Sequence, residues 1–176
     1  LTSVFSRGTN SKHTLALFDG IRLNDASAPN GQYNFGQDTV SGLERIEVLR
    51  GAASSIYGSD AIGGVVNFIP RVGGERPFEP FFEASVGSRD TYRASVGATG
   101  TTQAVSYAVT AEHYETSGFN NTPDRFPDNL HEDDGSEFDT VTGVVDVALN
   151  ANVTLRGLAR WRSEEHTSEL QSHHPI

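Results

Sequence analysis

Five successive segments in the second half of the chain alternate apolar and polar residues with a period of two. In 80–87, Phe82, Ala84 and Val86 fall on one side and Glu83 and Ser85 on the other. In 91–99, Tyr92, Ala94, Val96 and Ala98 oppose Thr91, Arg93, Ser95 and Gly97. In 104–114, Val105, Tyr107, Val109 and Ala111 oppose Ser106, Ala108, Thr110 and Glu112. In 140–149, Val141, Val145, Val147 and Leu149 oppose Thr140, Thr142 and Asp146. In 153–162, Val153, Leu155, Ala159 and Trp161 oppose Thr154, Arg156, Arg160 and Arg162. The pattern predicts five β-strands, each with one apolar face. Each is close to the ~9–11 residues that a tilted strand needs to cross a bilayer. A soluble sandwich shows the same alternation, with the apolar face turned to its core. Periodicity alone leaves both architectures open.

Short connections at 87–90, 100–103 and 150–152 join these segments, whereas the stretch from about 115 to 139 is long and acidic. In a membrane barrel short turns gather at one end and longer loops at the other, and the long loop after the third strand falls at the end opposite the entry to the first.

Residues 1–71 follow a different pattern. Thr14–Phe18 is a short apolar run closed by the turn dipeptide Asp19-Gly20, after which Ile21–Leu23 resumes extended chain. Residues 24–36 are rich in Asn, Gly, Ser and Pro and read as a surface loop. Glu44–Gly51 alternates charge and aliphatic residues, predicting a strand with one apolar face. Residues 52–58 suggest a helical turn ended by Gly58, and 61–69 a further strand stopped by Pro70. This zone is a small α+β unit, and the Gly- and Pro-bearing stretch 72–77 reads as a linker.

The net charge of −10 argues against a nucleic-acid partner, which normally meets a basic stripe. Cysteine is absent, excluding disulfides and thiolate chemistry. No run of ~18 apolar residues exists, so a transmembrane helix is not expected; a barrel is untouched by that criterion. Nothing assembles a catalytic triad or a carboxylate dyad, and no enzyme is expected. The opening at Leu1 inside a strand-like run reads as a cut, so an incomplete chain is expected.

Leu43-Glu44-Arg45-Ile46-Glu47-Val48-Leu49-Arg50-Gly51, followed by Ser54-Ser55-Ile56-Tyr57-Gly58-Ser59-Asp60-Ala61-Ile62-Gly63-Gly64-Val65-Val66-Asn67, resembles the signature that ends the plug of TonB-dependent outer-membrane receptors. Arg7-Gly8-Thr9-Asn10 and Leu17-Phe18-Asp19-Gly20-Ile21-Arg22-Leu23-Asn24 resemble an upstream part of the same plug. The resemblance implies an α+β plug fragment over 1–71, then the first strands (about five) of an antiparallel transmembrane β-barrel over 78–162. A complete plugged transporter of this kind closes about 22 strands. It implies a bacterial outer-membrane location and energised uptake of a scarce nutrient. The required partner is a TonB-type energy-coupling protein, acting through an N-terminal box upstream of this sequence. Within the family, the Arg-Gly-Thr-Asn opening and the Tyr57–Asn67 run are similar to the vitamin B12 (cobalamin) receptor branch. A ferric-siderophore or sugar receptor is the alternative within the family, and a soluble β-sandwich binding module the alternative outside it.

Three groups of site residues follow from the resemblance. Asp25, Asn30, Tyr33 and Asn34 in the apex loop are candidates for contact with a corrinoid or ferric siderophore. Arg45, Glu47 and Arg50 are candidate charges for seating the plug. The acidic loop, carrying Asp124, Asp128, Glu132, Asp133, Asp134 and Glu137, offers oxygen ligands suited to Ca²⁺. The matching loop of cobalamin receptors binds Ca²⁺, which implies Asn120, Glu132, Asp133 and Asp134 as ligands. Asn120 and Glu132 each replace an expected Asp. From about Arg162, the sequence Arg-Ser-Glu-Glu-His-Thr-Ser-Glu-Leu-Gln-Ser resembles a translated sequencing adapter, and residues 163–176 are expected to be a non-native tail.

Overall fold

A computed structural model describes residues 4, 10–24, 33–35, 40–51, 54–118 and 135–167. The chain forms two compact units, Leu1–Arg71 and Val72–Ile176.

In the first unit, β1 (Thr14–Phe18) is the apolar run; it is buried at every position and lies inside its sheet, with a strand hydrogen-bonded to each edge. Asp19 and Gly20 both adopt left-handed backbone (φ 50° and 81°), closing a two-residue hairpin onto β2 (Ile21–Arg22). β3 (Leu43–Arg50) lies at the other edge of a sheet ordered β2-β1-β4-β3, with β4 (Gly64–Pro70) parallel to β1 and antiparallel to β3. The turn α1 (Ser54–Tyr57) and a 3-10 turn at Ser59–Ala61 bridge β3 to β4. Ala61 joins Leu15, Leu17 and Val65 in the core of this unit.

Two details differ from expectation. The expected strand over 61–69 begins only at Gly64, because Ser59–Ala61 coils into the 3-10 turn. Pro70 is the last strand residue, opposite Leu43, rather than the stop; a strand end tolerates its missing N–H. Gly64 is required: its φ is +144°, and a methyl group there would sit 2.6 Å from the Leu49 carbonyl oxygen.

The second unit is an antiparallel meander of β5 (Glu79–Gly87), β6 (Thr91–Thr101), β7 (Val105–Thr116), β8 (Gly135–Asn150) and β9 (Val153–Thr167), paired in chain order. All five expected strands are present. β7 and β8 are longer than their side-chain pattern predicts: Glu115 pairs with Glu137 and Thr116 with Ser136. The long connection therefore starts after Thr116 and ends before Gly135, not at 115 and 139. β9 likewise continues five residues past 162, with Ser163–Thr167 pairing against Asp139–Gly135. Ladder hydrogen bonds come from the backbone and persist where side-chain alternation has ended. The rest of the expected tail, 168–176, lies outside the described residues.

Candidate functional site

Register and alternation give the second unit two faces of opposite chemistry. One carries Phe82, Val86, Tyr92, Val96, Val109, Val141, Val145, Leu155 and Trp161, all exposed; Phe82 is 70% and Trp161 60% accessible. The other carries Ser95, Thr99, Thr110, Glu112 and Thr140, all buried, with Glu112 only 5% accessible, together with the buried Ala108, Phe138 and Val144. A soluble sandwich buries its apolar face; this sheet does the reverse. Exposing that many large apolar side chains to water would be costly, since burying each contributes ~1.5–3 kcal/mol. Hydrocarbon is the environment that suits the face.

The polar face is organised in cross-strand rows. Ser95, Glu112, Thr140 and Arg162 stand in register across β6, β7, β8 and β9. Among the described residues, the Ser95 and Thr140 hydroxyls and both Glu112 carboxylate oxygens have no hydrogen-bond partner. Arg93 Nε approaches Glu112 Oε1 at 3.6 Å, close enough to pair ionically but without a formed hydrogen bond. In the next row Tyr114 and Phe138 stack at 4.5 Å between ring centroids. Arg93 lies 5.4 Å over Tyr114 and Arg162 4.3 Å over Phe138, so a cation–aromatic–aromatic–cation ladder spans four strands. Toward the other end of the sheet, Arg156 grips Asp146 with two hydrogen bonds, Nε at 2.7 Å and Nη2 at 2.6 Å.

The ladder was only half visible in the sequence. Arg93 and Arg162 occupy polar-face positions of the alternation, but Tyr114 and Phe138 lie at the rim of the segments, 24 residues apart. Their pairing depends on the register of β7 with β8.

In the first unit, Arg45 donates from Nη1 to Glu44 Oε1 at 2.7 Å and from Nε to Glu47 Oε1 at 2.9 Å. The Glu47 hydrogen bond is the main reason its pKa lies above the ordinary arginine value; the carboxylate charges of Glu47 and Glu44 add to it. Arg45 and Glu47 share a face of β3, but Arg50 points to the opposite one with Ile46 and Val48. The three charges therefore do not form one polar surface. Nor does β3 have a covered apolar face: Ile46 and Val48 are exposed, and β3 lies at the edge of its sheet. Arg22 Nη1 donates to Asp60 Oδ2 at 2.6 Å, tying β2 to the 3-10 turn.

Tyr33 and Asn34 of the apex loop are half-buried, and the Tyr33 ring meets Phe35 edge-on at 5.1 Å. Asp25, Asn30, Asn120, Glu132, Asp133 and Asp134 lie outside the described residues. Among the described residues no group of three or more His, Asp or Glu side chains is placed to hold a metal ion. Glu137, expected in the acidic loop, belongs to β8.

The TonB-dependent receptor plug domain matches residues 1–65. The ferric enterobactin receptor PfeA of Pseudomonas aeruginosa, solved with enterobactin, is similar to 92% of this chain at 24% identity and a TM-score of 0.69. The siderophore receptor PirA of Acinetobacter baumannii is similar over 92% at 22% identity and a TM-score of 0.69. The FpvAI receptor, solved with pyocin S2, is similar over 85% at 20% identity and a TM-score of 0.61. This chain spans about a quarter of the first two receptors, 27% and 25% of their chains. The fold is thus a TonB-dependent receptor plug segment followed by the first strands of an antiparallel barrel, and the protein is one of the bacterial outer membrane.

Proposed function

We propose that the protein takes part in TonB-dependent uptake of a ferric siderophore across the outer membrane. The supporting observation is the reversed sheet, apolar outside and polar inside, continuing from a plug module. Such a sheet builds the wall of a pore, and a plug gives that pore a gate. The work is binding and movement of a solute, with no bond made or broken. The receptors similar in fold are solved as ferric enterobactin and siderophore receptors, which favours a ferric siderophore over the corrinoid suggested by the Tyr57–Asn67 run.

In this reading the apex residues Asp25, Asn30, Tyr33 and Asn34 meet the solute. Arg45, Glu47 and Arg50 seat the plug, approached from both faces of β3. A TonB-type protein supplies the force. Asn120, Glu132, Asp133 and Asp134 remain candidate Ca²⁺ ligands at the extracellular end; protease protection of 117–134 that appears on calcium titration supports them, and unchanged cleavage removes them.

The test is uptake by cells carrying the complete receptor as their one candidate transporter. Radiolabelled iron presented as a ferric catecholate should accumulate only when the coupling protein is present. Accumulation of labelled cobalamin without ferric siderophore would overturn the substrate, and no dependence on the coupling protein would overturn the mechanism.

A further inference from the structure

The stretch joining the two units has almost no free length. The Arg71 amide donates to the Gly42 carbonyl at 2.8 Å, which holds Arg71 to the first unit. Two residues later, the Gly73 amide donates to the Tyr107 carbonyl of β7 at 3.2 Å. The Gly74 amide donates to Thr101 Oγ1 at 3.0 Å, and the Thr101 amide to the Arg76 carbonyl at 2.9 Å. The Tyr107 hydroxyl donates to the Pro77 carbonyl at 3.1 Å, and the Arg76 amide to Glu79 Oε1 at 2.7 Å. Among these hydrogen bonds, Val72 alone separates the last anchor of one unit from the first anchor of the other.

Glycine here serves contact rather than slack. Gly73 has φ +75°, and a methyl group on it would lie 2.7 Å from Thr101 Oγ1. One on Gly74 would lie 2.7 Å from Glu79 Oε2, and one on Gly100 would collide with the Pro77 carbonyl. The stretch lies against the end of β6 and β7 that carries Thr101 and Tyr107.

We propose that residues 73–78 are a staple on the rim of the barrel, permanently part of the strand unit, and that the articulation between plug and barrel is the single residue Val72. Displacement of the first unit then turns about Val72, and the Gly-Pro stretch does not uncoil to give the plug travel. A pull on the plug is delivered to the ends of β6 and β7 within one residue of its own sheet. The proposal is independent of which solute is carried.

Amide hydrogen exchange of the complete receptor in detergent, followed across a urea series, tests it. The Gly73 and Gly74 amides should open together with β6 and β7, and apart from β3 and β4. Opening with β3 and β4, free exchange at every urea concentration, or one common step for all of them overturns it. Thr101→Val removes the acceptor for Gly74, and should speed Gly74 exchange about fivefold while β3 and β4 keep their protection. Unchanged Gly74 exchange, or loss of protection throughout the plug, counts against the staple.

Discussion

In β8, Thr140 is 4% exposed and its neighbour Val141 is 42% exposed. One step along the strand exchanges a sheltered hydroxyl for a presented isopropyl group. Across the ladder Thr140 faces Glu112 and Val141 faces Ala111, so the inversion belongs to the sheet and not to one residue. Everything proposed about transport depends on it.

A charge on the apolar face should therefore be penalised. Val109→Arg, near the middle of β7, is expected to destabilise folding into bilayers by about 2–4 kcal/mol, whereas Thr142→Asn on the polar face should change it by less than about 1 kcal/mol. Urea titration of the complete receptor in liposomes reads both.

Gly64 and Gly143 make a matched pair. Gly64 carries φ +144° and stands against the Leu49 carbonyl; around Gly143 a methyl group would meet nothing within 4 Å. Gly64→Ala should cost about 1–3 kcal/mol and loosen β3 from β4, while Gly143→Ala stays within about 0.5 kcal/mol. Thermal unfolding and exchange of the β3 amides distinguish the two.

Phe138 is the inner rung of the ladder, buried between Tyr114 and Arg162. Phe138→Ala should cost about 3–5 kcal/mol, and Phe138→Leu clearly less because volume is partly kept. In a double-mutant cycle Phe138→Leu with Arg162→Gln should show coupling of about 0.5–1.5 kcal/mol. A coupling of zero would mean that the cation and the ring ignore one another.

Asp146 and Arg156 should also be coupled, because two short hydrogen bonds fix one guanidinium on one carboxylate. The Arg156 side chain is substantially exposed, which discounts the pair to about 1 kcal/mol in a cycle of Asp146→Asn and Arg156→Lys. Stability of the receptor measured by urea titration at low and high salt gives the value and its screening.

Period two made the strands and their faces legible from residues alone, because Val105 to Glu112 leaves only one way to divide eight consecutive side chains. It could not say which face meets water, since Val109 and Thr110 alternate identically in a sandwich and in a barrel. The ends of strands were also illegible: Glu115 and Glu137 look like loop residues, yet their backbones still pair. Gly73 and Gly74 read as slack for the same reason, as close approach and flexibility both require glycine. Charge alone groups Arg50 with Arg45, although an odd and an even position of one strand do not share a face. Tyr114 and Phe138 needed tertiary register to meet.

The sharpest test of the reversed sheet exploits the lack of cysteine in this sequence. Single cysteines placed in turn at positions 105 to 112 of the complete receptor would carry a small fluorophore, in bilayers made with acyl-brominated lipids. Labels at 105, 107, 109 and 111 should be quenched by the lipid and those at 106, 108, 110 and 112 should not. Quenching without alternation, or confined to the even positions, would contradict a wall that turns its apolar side to hydrocarbon.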